Sequence, residues 1–246
     1  MEWFRRLVAI LCLAGVSHAG AGEPDWRVYE ELLRHHVVRG SIDGVELNQV
    51  DYDGLAKAPQ FADVVREVSE FPLARLASRE ETLAFYINVY NIFALKMVLD
   101  NRPRRSIRDI GNWLRPVWKR VAGTIDGKPV TLDEIEHGRL RTMNEPRLHF
   151  AIVCASVSCP DLRTEPYRAA MLETQLDDQV SGFLNNPGKG LKLVGDRAQV
   201  SKIFKWFDED FVAVGGYAAF VRQYYPLPAN VRLRPTLDYN WSLNAH

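Results

Sequence analysis

Two cysteines near the middle of the chain are the residues whose types and spacing best suit chemistry. The stretch from His149 to Pro160 reads HFAIVCASVSCP, with Cys154 after an apolar run and Cys159 five positions later. We interpret 148–154 as a short buried strand that delivers Cys154 to a loop of small residues. A thiol beside free backbone N–H groups suits nucleophilic catalysis. The same pair of thiols suits a structural disulfide, above all in an oxidising compartment.

A nucleophilic thiol needs a base, a group that orients the base, and donors for an oxyanion. The histidines that follow residue 19 are His35, His36, His137, His149 and His246. In a strand, the odd separation of His149 and Cys154 would put their side chains on opposite faces. His35 and His36 end a helix and look solvated, and His246 is the last residue. We therefore predict His137 as the base, and the alternative is a structural histidine that bonds a carbonyl near its helix end.

The strongest predicted helix runs from Ser78 to Asp100, and Ser78 with Glu81 forms a capping box at its start. Because its apolar residues surround it almost completely, we expect this helix to be buried. Asn88 and Asn91 lie three residues apart on one face. Buried amides need partners, so the pair either braces neighbouring loops or reaches into the site as an orienting or donating group. Asp210 is a further candidate for the orienting group.

A basic segment follows that helix, from Arg102 to Arg120. It carries seven Lys and Arg residues and a single acid, Asp109, with Trp113 and Trp118 between them. Basic and aromatic side chains together can hold an anionic or sugar-like ligand. The candidate ligand-binding residues are Arg105, Trp113, Trp118 and Lys119. The alternative is a solvated connection whose tryptophans pack inward.

Metal and cofactor signatures are weak or missing. Cys154, Cys159, His137 and His149 could nominally ligate zinc, but they are scattered compared with a pair of CxxC knuckles. We therefore predict no metal. The sequence also lacks GxGxxG, P-loop, HExxH and GxSxG patterns, so we predict no cofactor and no α/β-hydrolase chemistry.

The N-terminus reads as a signal peptide at residues 1–19. Arg5 and Arg6 precede an apolar run too short to span a bilayer, and small residues before position 20 favour cleavage after Ala19. No later stretch approaches eighteen consecutive apolar residues, so we predict no transmembrane anchor. The expected location is the periplasm or the cell exterior.

The charge balance of the exported chain is nearly even. The whole chain has 31 basic and 31 acidic residues. Removing residues 1–19 takes away Glu2, Arg5 and Arg6, which leaves 29 basic and 30 acidic residues. No global positive charge points to nucleic acid, so we predict no nucleic-acid partner.

The order of elements predicts an α+β fold in a single domain. Helical segments come first, and strands mixed with helices follow. Asp126-Gly127 and Gly195-Asp196 are typical of hairpin turns. We expect further helices near 166–185 and 217–225 and an extended tail near 231–243. The predicted architecture is a helix-rich N-terminal half packed on a small, mostly antiparallel sheet.

Six ordered motifs resemble the domain of unknown function 547 family. They read AFYINVYN at 84–91, IEHGRLR at 135–141, PRLHFAIVCAS at 146–156, SCPDLR at 158–163, SKIFKWF at 201–207 and YNWSLN at 239–244. The resemblance covers about residues 75–244 and leaves 20–74 as an N-terminal helical region. It implies the fold family and an exported bacterial protein, but no established activity.

Two functions follow as expectations. The first is a thiol-dependent hydrolase or acyl transferase acting on peptide or amide bonds, with Cys154 as nucleophile, His137 as base, and Asn88 or Asn91 orienting or donating. The order of His137 before Cys154 differs from the Cys-then-His order of papain-like and transglutaminase-like enzymes, so kinship would require a permuted arrangement. The second is a non-enzymatic cell-envelope protein with a Cys154–Cys159 disulfide. Its basic segment would bind an envelope peptide or glycan, or a lipid headgroup.

Overall fold

The computed structural model describes residues 22–246. The predicted signal peptide at 1–19 lies outside the described residues. The helices are α1 (Arg27–His36), α2 (Tyr52–Leu55), α3 (Gln60–Glu70), α4 (Arg79–Asn101), α5 (Leu132–Ile135), α6 (Leu172–Leu184), α7 (Ile203–Trp206) and α8 (Tyr217–Tyr224). The strands are β1 (Val37–Ile42), β2 (Val45–Val50), β3 (Val121–Ile125), β4 (Lys128–Thr131), β5 (Leu191–Val194), β6 (Arg197–Ser201) and β7 (Arg232–Leu237).

Helix α4 is the centre of the core. The predicted capping box is confirmed: the Ser78 hydroxyl accepts the Glu81 N–H, and the Glu81 carboxylate accepts the Ser78 N–H. The helix is long and apolar enough to cross a membrane by length and composition, but 83% of its most apolar window is buried inside the protein. It therefore packs as the core helix of this fold, as the apolar residues around its circumference predicted.

The strands form three small sheets. Strands β1 and β2 make one antiparallel hairpin, and β3 and β4 make another. Asp126 and Gly127 turn the second hairpin with positive φ values of 51° and 71°, as a two-residue turn of this kind requires. In the third sheet β5 pairs antiparallel with β6, and β7 lies parallel to β6. The predicted α+β class is confirmed, with the expected sheet divided into three.

Two hydrophobic clusters meet at the segment that precedes Cys154. The larger cluster surrounds α4 and includes Leu148 and Ile152. The smaller one is rich in phenylalanine and includes Phe150, which stacks on Phe220 with ring centroids 5.7 Å apart. Alternate residues of one short segment thus enter different clusters.

The predicted strand at 148–154 is wrong. Residues Pro146–Phe150 form a 3-10 helix, and the chain then runs irregularly to a single bridge between Ser156 and Leu243. Pro146 at the first turn and the Glu145 carboxylate, which accepts the Arg147 N–H, begin the helix. The residues of this run are apolar because they are buried between two clusters. Over so few residues, hydrophobic periodicity cannot distinguish a buried strand from a buried helical turn.

One other helical boundary differs from the expectation. Helix α6 begins at Leu172 and follows a 3-10 turn at Ala169–Met171, so the segment from 166 is not helical throughout. The helix capped by Thr131 changes to a π-helix over Glu136–Leu140. Single π turns are frequent at functional sites, and this one carries Glu136 and His137 towards the cavity described below.

We expect Ser78→Ala to lower the free energy of unfolding by about 1 kcal/mol, because the first turn of α4 loses its capping hydroxyl. Urea unfolding followed by circular dichroism measures this change. Ser69→Ala is the matched control, because the Ser69 hydroxyl only bonds back to the Val65 carbonyl of α3 and its removal should be nearly neutral. An equal loss in both variants would contradict the role given to the cap.

Candidate active site

A cavity of about 290 Å³ lies beside Cys154. Its walls combine large aromatic rings with side chains that can titrate. The aromatic residues are Tyr90, Trp118, Trp206, Phe207, Tyr239 and Trp241. The titratable or sulfur-bearing residues, apart from the tyrosines, are Asp133, Glu136, His137, His149, Cys154 and Cys159. Concave sites with apolar walls and a few convergent polar groups are typical of substrate binding.

Asn91 holds the backbone that leads to Cys154. Its side-chain nitrogen donates to the Ala151 carbonyl at 3.0 Å, and its oxygen accepts the Val153 N–H at 2.9 Å. Ala155, directly after the cysteine, has a φ of 55°. This left-handed conformation is uncommon for a residue with a side chain and concentrates at functional sites. The core helix thus fixes a strained turn at the thiol.

Asn88 has the same kind of role at another loop. Its amide donates to the Tyr167 carbonyl at 2.8 Å and accepts the Tyr167 N–H at 2.9 Å. Neither Asn88 nor Asn91 is among the cavity-lining residues. Of the two roles considered for this pair, the structure shows bracing of loops.

The Cys154 sulfur is half-buried and surrounded by donors. Its Sγ lies 3.0 Å from the Ser156 hydroxyl and 3.2 Å from the Tyr239 hydroxyl. Burial acts to raise the pKa of the Cys154 thiol. Hydrogen bonds from Cys159, Ser156 and Tyr239 outweigh burial and lower that pKa to about 7. A substantial fraction of the nucleophilic thiolate is therefore present at neutral pH.

Cys159 has the opposite character. It is buried, and its sulfur accepts the Cys154 backbone N–H. Burial and the neighbouring Cys154 raise the pKa of Cys159 well above its ordinary value. Both cysteines are free thiols, so the disulfide considered for this pair does not form in the structure.

Lys189 secures the far side of the same loop. This buried ammonium donates to the Cys159 carbonyl at 3.0 Å and pairs with Asp161. Burial lowers the pKa of Lys189, and Asp161 opposes that effect. Lys189 therefore has a structural role: it fixes the backbone of the loop that carries the two cysteines.

His149, a buried residue of the cavity wall, pairs with the half-buried Asp210. The His149 Nε2 lies 2.6 Å from Asp210 Oδ2, and the ring stacks on Phe207 with centroids 4.0 Å apart. Arg141 holds the same carboxylate through two bonds of 2.6 and 2.8 Å. Burial acts to raise the pKa of Asp210, but His149 and Arg141 outweigh it and hold that pKa well below its usual range.

The ionised carboxylate determines which nitrogen of His149 is free. Because Asp210 is an acceptor, Nε2 carries the proton and Nδ1 keeps its lone pair. Burial lowers the pKa of His149 more than Asp210 raises it, so the ring is neutral at neutral pH. Its buried Nδ1 has no hydrogen-bond partner in residues 22–246. A neutral imidazole with an unpartnered nitrogen is the form that a general base requires.

The strand predicted from the sequence excludes His149 as the base, because it would place His149 on the opposite face from Cys154. The structure has no strand there. His149 and Cys154 line one cavity. No histidine bonds Cys154 within residues 22–246, where its side-chain partners are Ser156 and Tyr239. Catalytic contacts are often open before substrate binds.

His137, the base predicted from the sequence, lies at the rim of the cavity. It is exposed, its Nδ1 lies 3.0 Å from an Arg141 nitrogen, and its Nε2 lies 3.6 Å from Asp133. It shares the cavity with Cys154 but is engaged by neighbours of its own helical turn.

Glu136 is a site residue that sequence reasoning missed. It lines the cavity, and its carboxylate accepts the Tyr90 hydroxyl at 3.3 Å. Burial raises the pKa of Glu136 to about 7, and the nearby Cys154 contributes to the rise. Its position inside the IEHGRLR motif was the available signal.

The candidate ligand-binding residues divide into two groups. Trp118 lines the cavity, and its ring centroid lies 6.5 Å from that of Trp241. Trp113 is 88% exposed, so the expectation that both tryptophans pack inward is wrong for this one. Arg105 and Lys119 are exposed and lie outside the cavity lining. The basic segment therefore contributes one wall to the cavity and a separate exposed surface.

No cluster of three or more histidine, cysteine or acidic side chains suited to a metal ion occurs between residues 22 and 246.

Comparison with known proteins matches the central part of the chain to a family. The family model described as protein of unknown function, DUF547, matches residues 73–184. This match over residues 73–184 supports the family that the sequence motifs indicated. The matched range contains Glu136, His149 and both cysteines of the cavity, whereas Asp210 and Tyr239 follow it. No curated protein and no solved structure matches the chain.

We expect Asp210→Asn to reduce stability at neutral pH by at least about 1 kcal/mol, because it leaves Arg141 without its partly buried partner. The pKa of Asp210 is depressed in the folded state, so its stabilising effect is present above the unfolded carboxyl pKa of about 4. That contribution decreases as pH falls from this value towards the folded pKa.

Urea unfolding between about pH 3 and 7 measures the effect of this substitution. Asp196→Asn is the control, because Asp196 makes an exposed pair with Arg232, and we expect no measurable change. A stability difference between native protein and Asp210→Asn that is independent of pH would contradict the ionised pair.

Proposed function

We propose that this protein is a thiol-dependent hydrolase or acyl transferase acting on amide bonds, with Cys154 as its nucleophile. The observation that carries the proposal is the Cys154 sulfur with a pKa near 7 in the same cavity as His149, whose Nε2 is held by Asp210. A thiolate, a neutral imidazole and a carboxylate that orients it are the three groups that thiol catalysis needs.

The proposed base is His149, whereas the sequence predicted His137. His149 supplies the base through Nδ1, and Asp210 orients the ring through Nε2. His137 stays a candidate at the rim, but its ring nitrogens lie near Arg141 and Asp133. Asn91 positions the nucleophile through the backbone that it braces.

The reaction proceeds in two steps. The Cys154 thiolate attacks the substrate carbonyl carbon, the carbon–nitrogen bond breaks, and the amine leaves with a proton from an acid in the cavity. The resulting thioester is then attacked by water or a second amine, which gives its proton to His149 Nδ1 as the thiolate departs. Hydrolysis and acyl transfer differ only in this second nucleophile.

Glu136 is the acid we assign to the first step. A carboxyl group with a pKa near 7 retains its proton in part at neutral pH and can protonate a leaving amine. Tyr90 keeps it in place through its hydroxyl. The pKa of Glu136 rises beside Cys154 because an ionised carboxylate and a thiolate repel each other.

The aromatic wall gives the cavity its substrate preference. Trp206, Tyr239 and Trp241 pack together with ring centroids 4.6 to 5.7 Å apart. Such a surface suits the apolar part of a peptide side chain or the face of a sugar. A cell-envelope peptide or glycopeptide is therefore the substrate class we propose.

Export to the periplasm or the cell exterior completes the proposal and depends on the signal peptide at 1–19. We expect protein recovered from the exported fraction to begin at Gly20, and intact mass measurement tests this. A full-length chain retained in the cytoplasm would contradict export.

The proposal is tested by acylation with p-nitrophenyl acetate, an activated ester that needs no knowledge of the natural substrate. The thiolate displaces nitrophenolate and becomes an acetyl thioester, which mass spectrometry detects on Cys154. We expect no adduct with Cys154→Ser. His149→Asn should slow release of the acetyl group by roughly a hundredfold or more, the usual contribution of a general base.

His137→Asn is the matched control for the base. If His137→Asn slows release roughly a hundredfold and His149→Asn does not slow it, His137 is the base. If neither cysteine reacts until a reductant is added, the resting protein contains the disulfide. The non-enzymatic envelope protein then becomes the better account.

Tyr239→Phe should raise the midpoint pH for iodoacetamide alkylation of Cys154 by roughly one unit, because the thiolate loses one hydroxyl donor. The alkylation rate as a function of pH measures this midpoint. Tyr224→Phe is the control, because the Tyr224 hydroxyl bonds Asp177 and is not part of the cavity. An unchanged midpoint in Tyr239→Phe would remove this hydroxyl from the activation of the thiol.

Glu136→Gln should lower the same midpoint, because removal of the carboxylate removes its repulsion of the thiolate. Glu134→Gln is the control: it lies two residues away, is exposed, and glutamine can replace glutamate in a capping box. A midpoint that rises or stays constant in Glu136→Gln would contradict the coupling between Glu136 and Cys154.

A further inference from the structure

The basic segment 102–120 contains an exposed turn at residues 112–115, called the tip below, which has no role in the proposed chemistry. Trp113 is 88% exposed and Leu114 is 73% exposed. They are neighbours in sequence and the two most exposed large apolar residues in the described part of the chain. Large apolar side chains that are exposed next to each other can mark a surface that binds a protein or a membrane.

This tip is a formed turn. The Asn112 side-chain oxygen accepts the N–H groups of Leu114 and Arg115 at 3.0 and 2.8 Å, and the Asn112 N–H donates to the Arg115 carbonyl at 3.1 Å. The closed turn leaves Trp113 and Leu114 at its apex. Their exposure is therefore built into the local hydrogen bonding.

Positive charge surrounds the tip. The segment 102–120 has seven basic residues against Asp109, a net charge of +6. The seven basic side chains are Arg102, Arg104, Arg105, Arg108, Arg115, Lys119 and Arg120, and all are exposed. None of them forms an ion pair with an acidic side chain within residues 22–246, whereas Lys and Arg side chains elsewhere in that range form sixteen such pairs. This positive charge is available to an external partner.

From this charge and exposure we propose that the 102–120 segment docks on the surface of an anionic phospholipid bilayer. Trp113 and Leu114 insert at the level of the headgroups, where tryptophan is favoured, and the basic residues around them pair with lipid phosphates. An anionic bilayer presents negative headgroups above apolar lipid chains. It is therefore complementary to an apolar tip that is surrounded by basic side chains.

The same surface continues to the cavity. Trp118 and Trp241 line a groove together with Trp113 and Arg108, and they also line the cavity beside Cys154. Arg108 lies over the Trp241 ring at 5.0 Å from its centroid. Docking would therefore bring the cavity close to the membrane plane. The proposal stands on the exposed segment alone and holds whether or not Cys154 is a nucleophile.

Co-sedimentation with lipid vesicles tests the proposal, using protein that begins at Gly20. Vesicles of phosphatidylglycerol and phosphatidylcholine should bind the protein, and vesicles of phosphatidylcholine alone should bind it much more weakly. Binding should fall steeply as salt is raised, because salt screens charges at the surface. Equal binding to both vesicles, or no binding at low salt, would overturn the proposal.

Two pairs of variants separate the apolar and the charged contributions. Trp113→Ala with Leu114→Ala should weaken binding about tenfold or more, because the inserted apolar surface is lost. Val212→Ala is the matched control, since Val212 is 69% exposed outside the segment. These exposed side chains can be removed with the fold intact, and circular dichroism checks this.

Arg104→Glu with Arg105→Glu should weaken binding roughly twentyfold or more, since each basic residue near an anionic surface contributes about fivefold. Lys192→Glu with Lys205→Glu changes the net charge equally at exposed positions elsewhere and should have a smaller effect. Equal losses in both double variants would show attraction by net charge alone and would overturn docking by this segment. The proposal would also be overturned if Arg104→Glu with Arg105→Glu left vesicle binding unchanged but abolished binding to an anionic glycan.

Discussion

The two hydrogen bonds of Asn91 are the constraint on which the cavity depends. Helix α4 is enclosed by the core, so an amide on it must find partners inside the protein. Asn91 finds them in the carbonyl and N–H groups on either side of Ile152. The loop that carries Cys154 is thereby tied to the most rigid element of the fold. This attachment explains how Ala155 keeps a left-handed backbone beside the thiol.

The remainder of the site comes from parts of the chain that are distant in sequence. Tyr239 reaches the sulfur from a position 85 residues later, and Asp210 reaches His149 from 61 residues later. The phenylalanine-rich cluster holds Asp210 nearby, because Phe211 packs against Phe150 within it. The two hydrophobic clusters therefore join near the cavity, and packing in either one affects the alignment of Cys154 and His149.

Local rules predicted much of the fold. The capping box at Ser78 and the hairpin turn at Asp126 depend on residues a few positions apart, and the structure contains both. The prediction failed at 148–154, where a 3-10 helix between two clusters has the composition of a buried strand. That error concealed His149, because its exclusion depended on the alternation of side chains along a strand.

Other parts of the site could not be predicted from one sequence. Glu136 acquires its pKa near 7 from burial, which depends on what the fold places over it. Tyr239 has no signal of its own, since nothing local distinguishes a tyrosine that donates to sulfur from one that packs in the core. Asp210 was recognised as a candidate for orienting a histidine. Its actual partner is determined by the packing of Phe207 and Phe211 around His149.

The proposed chemistry requires that a substantial fraction of the Cys154 sulfur is thiolate at neutral pH. The ultraviolet absorbance of the thiolate, titrated in the native protein and in Cys154→Ser, tests it directly through the difference between the two curves. The account predicts a single ionisation with a midpoint of about 7. A midpoint at or above the ordinary thiol value of about 8.5, or no thiolate signal at all, would contradict it.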